Sequence, residues 1–233
     1  MKKAISILTV LVMAIGVTIM FSACSKSETK QTTVSVSQPE TTTSSKNNQN
    51  DENDNSKTDT KKLVVYFSVP DNKDNSYVEV NGEKLGNTQF MAYKISENTG
   101  ADIFRINPKV AYPTDHNELL AAAQEEIRTN ARPEIDGTIE NFDSYDVVFV
   151  GYPNWNSDMP YIMYTFFETY DFSGKTIIPF NTHGGSGFSN TQQTIADLEP
   201  DATMIEGKSI SRNDIANSEQ DIIDWLDSIG MLK

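Results

Sequence analysis

Leu63-Val64-Val65-Tyr66-Phe67 is an apolar run without polar alternation, the pattern of a strand covered on both faces. Such a strand needs helices on both sides, and the downstream chain offers them. Thr88–Asn98 reads as a helix stopped by Gly100, and Ala101–Ile106 (ADIFRI) as a second strand. Thr114–Ala131 is a helix of good formers (ELLAAAQEEI) with Pro133 beyond its end. Tyr145–Gly151 (YDVVFVG) is a third, buried strand, followed by an aromatic-rich helix over Pro160–Thr169. Lys175–Phe180 (KTIIPF) is the fourth strand, Asn190–Leu198 a helix, and Ala202–Ile205 the start of a fifth strand. Asn213–Ile229 is the last helix, with Ile215, Ile222, Leu226 and Ile229 on one face and Gly230 after it. Five strands alternating with helices predict an α/β fold: a parallel sheet with helices on both sides.

Upstream of Leu63 the composition changes. Residues 4–21 carry no charge and follow Lys2 and Lys3, the shape of an export signal. Ser22-Ala23 before Cys24 resembles the bacterial lipobox, with Phe21 in place of the commoner Leu. The resemblance implies that 1–24 is a lipoprotein signal peptide, cleaved before Cys24, which becomes the lipidated residue. Two or three acyl chains anchor stably where one is marginal. The alternative is an uncleaved membrane helix, since 18 residues just reach spanning length. Both readings place the domain outside the cytoplasm, at a membrane. Residues 25–61 are rich in Ser, Thr, Asn, Gln, Lys and Asp, and Val34 and Val36 are their only aliphatic residues. They cannot bury enough apolar surface to offset chain ordering and read as a disordered tether. Its reach as a coil is roughly 35 Å. The domain is 62–233.

The chain has 19 Lys+Arg against 33 Asp+Glu. Setting aside Lys2, Lys3 and the six Lys and six acidic residues of 25–62 leaves 11 basic and 27 acidic residues, a net of −16 over 63–233. Such a surface repels phosphate backbones, which excludes nucleic acid as a partner. With Cys24 the single cysteine and His116 and His183 the only histidines, Cys-ligated metals and multi-histidine sites are excluded as well.

In a doubly wound sheet, ligands sit beyond the carboxyl ends of the strands. After strand one come Ser68, an insert (69–85), and Gly86-Asn87-Thr88 opening a helix. Hydroxyls and backbone N–H groups at a helix start suit a phosphate; the alternative is a plain helix cap. Within the insert, Asn81-Gly82 between YVEV and EKL predicts a hairpin on a type I′ turn. After strand three comes a rigid aromatic loop, Gly151-Tyr152-Pro153-Asn154-Trp155-Asn156, suited to stacking on a flat ring. The alternative is a surface loop whose Trp155 covers the core. After strand four comes Asn181-Thr182-His183-Gly184-Gly185-Ser186-Gly187-Phe188, whose glycines let the backbone approach a ligand closely. It is neither G-x-G-x-x-G nor G-x-S-x-G, and a hydrolase base normally arrives later in the chain than His183. His116 sits at a helix start and reads as exposed and inert.

The strand LVVYFS, the GNT helix start, the GYPxW loop and the segment PFNTHGGSGF, in this order, resemble flavodoxins. The resemblance covers residues 62–233 and is closest to exported flavodoxin-like proteins with a split phosphate loop. It implies a three-layer sandwich with a five-stranded parallel sheet of order 2-1-3-4-5 and a bound FMN. The phosphate would fall to Ser68, Gly86, Asn87 and Thr88, without any arginine. Pro153, Asn154, Trp155 and Asn156 would flank the isoalloxazine, and Thr182, His183, Gly184, Gly185 and Phe188 would contact its other edge. Two departures bear on the ring: Asn156 replaces the second Trp of a common pair, and Asn154 replaces an apolar residue.

Three functions follow from the resemblance. The first is an FMN electron-transfer protein tethered outside the cytoplasmic membrane, docking a redox partner with a basic face. Its surrounding carboxylates would lower the flavin potential. The second is an FMN-dependent NAD(P)H or quinone reductase. The third is an FMN-less surface binding module. His183 would position the ring or stabilise its loop; the alternative is a proton donor beside the flavin.

Overall fold

The computed structural model describes residues 60–69 and 76–233. The signal segment 1–24 with Cys24, the tether up to residue 59, and residues 70–75 of the insert lie outside the described residues. In chain order the elements are β1 (Lys62–Tyr66), β2 (Tyr77–Val80), β3 (Glu83–Gly86), α1 (Asn87–Thr99), β4 (Asp102–Arg105), β5 (Asn107–Pro108), α2 (His116–Thr129), β6 (Ile135–Asp136), β7 (Val147–Pro153), α3 (Tyr161–Thr169), β8 (Thr176–His183), α4 (Thr191–Leu198), β9 (Thr203–Met204), β10 (Lys208–Ser211) and α5 (Glu219–Ser228). Lys61, expected in the tether, already belongs to the domain: its N–H donates to Asp146 and its Nζ to Ser144.

The main sheet runs β4-β1-β7-β8-β10, all parallel, with β9 also on β8. Counting only its principal strands, this is the order 2-1-3-4-5. The first strand explains the layering. Leu63, Val65 and Phe67 enter a core with α3 and α4 residues such as Phe166 and Ile195. Val64 and Tyr66 enter a second core with Met91 and Ile95 of α1 and Ile222 and Leu226 of α5. All five residues are at most 2% exposed, so both faces of the run are sealed as its apolar pattern requires. No helix among the described residues is long and apolar enough to cross a membrane.

Two elements differ from the sequence reading. The fifth strand is split, and Pro179 on β8 explains it. Lys175 and Ile177 carbonyls accept from Thr203 and Ile205, so the odd residues of β8 face the fifth strand. Pro179 has no N–H to offer there. The ladder breaks over Ile205–Gly207 and resumes at Lys208, opposite Phe180. Gly207 sits on the proline; a Cβ would lie 2.3 Å from the Pro179 carbonyl oxygen. The last helix is also shorter than its apolar face suggested. Ile215–Asn217 form a 3₁₀ turn, and α5 begins only at Glu219.

The insert folds as its turn residues dictate. β2 and β3 pair antiparallel, and Asn81 (φ 53°) and Gly82 (φ 83°) take the two left-handed positions of a type I′ turn. The Asn87 N–H then donates to Ser76 O at 2.8 Å, closing the ribbon against the start of α1.

Candidate functional site

A cleft lies beyond the carboxyl ends of β1, β7 and β8, bounded by α1 and α2. Nine sequence-predicted residues line it: Ser68, Asn87, Thr88, Pro153, Asn154, Trp155, Thr182, His183 and Gly184. Gly86, Gly185 and Phe188 are not among the lining residues. Gly86 is the N-cap of α1. Phe188 turns the other way, packing on the core near Gly207. Asn156 lines an adjoining cavity with Leu119, Leu120 and Ala123.

At one end the first turn of α1 meets the end of β8. Thr88 Oγ1 and Thr182 Oγ1 lie 2.8 Å apart, both buried. One of the two hydroxyl hydrogens makes this bond, which leaves the other to donate to a ligand. Amides in the first turn of a helix have no partner within it and carry the positive end of its dipole. Ser68, 5% exposed, adds a third hydroxyl.

Trp155 forms the cleft's aromatic wall. Its ring meets Phe67 and Tyr112 edge-on, at 5.5 and 5.3 Å between centroids. Its backbone exchanges hydrogen bonds of 2.8 and 2.9 Å with Asp158 across a tight turn. Asn156 and Ser157 occupy that turn at φ 52° and 67°. Asn tolerates the left-handed region far better than Trp does, so this backbone accounts for Asn156. The Asp158 carboxylate accepts from Tyr164 Oη at 3.0 and 3.1 Å, bracing the turn against α3.

The second loop closes the cleft opposite. The Gly185 N–H donates to His183 Nδ1 at 2.9 Å, so the neutral ring carries its proton on Nε2. Burial pushes the His183 pKa down, against a smaller opposing effect of Asp214. With Nδ1 engaged, His183 is a loop stabiliser and a donor, not a base for the exposed Ser186. Asn154 ties this loop to the first: Nδ2 donates to Gly187 O and Ser189 Oγ, and its backbone N–H to Thr182 O. Its Oδ1 is buried without a hydrogen-bond partner.

Five lining residues escaped the sequence reading, among them Val69 and Ser76 of the insert. His116 was expected to be exposed and inert; it is half-buried and faces the cleft from the start of α2. Arg212 follows β10 with its guanidinium beside Gly184, 3.6 Å from where a Cβ would stand. Leu119 is apolar wall. No signal in their own segments marked His116, Leu119 and Arg212, because α2 and β10 reach the cleft only through the sheet order. Both histidines of the chain thus meet in one cleft, with an arginine and, among the described lining residues, no carboxylate. Among the described residues no group of three His, Cys, Asp or Glu is placed to hold a metal ion. Hydroxyls and amides at one end, an aromatic wall in the middle and a buried orphan acceptor fit a phosphorylated, flat-ring cofactor.

Fold and cleft together define a flavodoxin-like α/β protein. The flavodoxin family model matches residues 76–229, and the chain belongs to that family. A candidate flavoprotein from Bacteroides eggerthii DSM 20697 is 32% identical, with 73% of this chain and 98% of that one covered and a TM-score of 0.59. One from Bacteroides uniformis ATCC 8492 is 26% identical over 72% and 98%, at a TM-score of 0.58. The fold is shared with a flavoprotein from Lactobacillus acidophilus NCFM solved in complex with FMN (18% identity, 68% and 97% covered, TM-score 0.50). No curated protein matches the chain.

Proposed function

We propose that this chain binds FMN in the cleft and works as an electron carrier held outside the cytoplasmic membrane by lipid on Cys24. The observation that carries the reading is the convergence of Ser68, Asn87, Thr88 and Thr182 on one cleft walled by Trp155. When bound, FMN supplies one- and two-electron redox chemistry. The chain's residues bind and orient it. Hydroxyls and first-turn amides hold the phosphate, Trp155 packs on the ring, and His183 Nε2–H donates from the opposite loop. Arg212, beside Gly184 on the ring side of the cleft, adds one positive group that opposes the potential-lowering influence of the acidic surface. That surface steers the protein to a partner with a basic face.

A second reading, an FMN-dependent reductase of quinones or similar flat molecules, is favoured by the adjoining cavity between Trp155 and Leu119, Leu120 and Ala123. Purifying the chain and recording its visible spectrum tests both readings. Flavin bands support them, and a colourless protein that takes up no added FMN eliminates them. Steady-state NAD(P)H oxidation with quinones then separates reductase from carrier. Cys24→Ala releases the protein from membranes if the anchor is lipid.

A further inference from the structure

The two ring-flanking loops are joined to each other, and Asn154 makes the joint. Gly187 O accepts from Asn154 Nδ2 and from Asn181 Nδ2, both at 3.0 Å. Asn181 Oδ1 in turn accepts from Ser209 on β10. Asn154 Nδ2 also reaches Ser189 Oγ at 3.2 Å, and Ser189 Oγ donates to Ser186 O. The amide's orientation follows from its partner: Gly187 O can only accept, so nitrogen must face it. One side chain on the β7 loop thus fixes the carbonyl of a glycine at φ 60° in the β8 loop, in a segment of three glycines that lacks regular structure. Glycine-rich backbone loses the most freedom on ordering, so a tie here removes a cost that binding would otherwise bear.

We propose that Asn154 is a positioning residue that presets the gap between the two loops for the cofactor's ring. The proposal rests on the FMN reading above, because it assigns the gap to that ring. An apolar residue at 154 makes no such tie, which gives this departure from the family pattern a role.

The test compares the chain with Asn154→Asp, which keeps the shape but removes the donors, and with Ser189→Ala, which removes the weaker of the two bonds. Amide hydrogen exchange of Gly185–Ser189 is read without flavin; FMN affinity and the visible circular dichroism of bound FMN are read with it. The expected result is faster exchange in that segment, an altered flavin dichroism and an FMN affinity about tenfold lower for Asn154→Asp. Ser189→Ala moves the same way by less, and melting temperatures stay close to that of the parent. Unchanged exchange and dichroism in Asn154→Asp would overturn the proposal; should that variant not fold, an unchanged Ser189→Ala does so. A parent that binds no FMN overturns the assignment to the ring together with the FMN reading. A parent that binds FMN, with variants that do not differ from it, sinks only the positioning role.

Discussion

Thr88→Val is the sharpest perturbation of the phosphate end. Valine keeps the shape of threonine, so no cavity opens, and the change isolates one hydroxyl. Thr88 is 1% exposed and its Oγ1 lies 2.8 Å from Thr182 Oγ1, itself on a side chain 5% exposed. Removing it leaves the Thr182 hydroxyl buried without that partner, at a cost of about 1–3 kcal/mol to the flavin-free fold. The variant also loses a donor to an anionic phosphate. A hydrogen bond to a charged group contributes about 1.5–3 kcal/mol, so the FMN Kd rises by about 10- to 150-fold. Riboflavin has no phosphate, so its Kd changes little. Thr182→Val leaves the Thr88 hydroxyl available and weakens FMN binding less; the double variant measures the coupling. Fluorescence titration of both flavins into flavin-free protein reads all of these, with urea unfolding as the stability control. Equal losses for FMN and riboflavin, or an unchanged FMN Kd, would refute the placement of the phosphate at the start of α1.

Three further outcomes follow from packing and titration. Gly151→Ala drives a Cβ to 2.1 Å from the Phe180 ring, which is fully buried; the overpacking costs about 2 kcal/mol and lowers the melting temperature by about 4–8 °C in a circular-dichroism melt. Tyr152→Phe breaks the buried chain from Tyr152 Oη through Thr191 Oγ1 to Phe188 O, with steps of 2.7 Å each, and urea unfolding should show a loss of about 1–2 kcal/mol. Burial, reinforced by the charge of Asp171, pushes Glu199 from 4.5 up to about 7. The folded state therefore holds this proton more tightly than the unfolded chain does. Its contribution to stability is full below about pH 4.5 and is lost as pH rises through about 7. Glu199→Gln should stabilise the protein above pH 7 and match the parent below about pH 4.5, measured by urea unfolding across that range.

The sheet was legible because its signals are local. Runs such as Leu63–Phe67 and Tyr145–Gly151 announce double-sided burial by lacking alternation, and Asn81-Gly82 announces its turn by demanding positive φ. The split of β9 from β10 was not legible in its own segment, because its cause is Pro179 on the neighbouring strand. Nor could helical periodicity separate the Ile215–Asn217 turn from α5, since Ile215 is buried in either form. The site divides in the same way. Its phosphate and ring loops carry compact motifs, and most of their residues line the cleft. His116 and Arg212 carry no motif and enter through tertiary placement alone. Asn154 and Asn156 stand out in the sequence only as departures. Their roles, a tie across loops and a left-handed turn position, belong to the folded backbone.

The central claim is that FMN occupies this cleft with its phosphate at the start of α1 and its ring between Trp155 and the His183–Gly185 loop. An amide-resolved NMR titration of the flavin-free protein with FMN tests it most directly. Saturation is expected at one equivalent, with the largest shifts at Ser68, Thr88, Gly184 and the Trp155 indole. Riboflavin should reproduce the Trp155 and Gly184 shifts and leave Thr88 nearly unmoved. Shifts that map elsewhere on the domain, or no shifts at all, would contradict it.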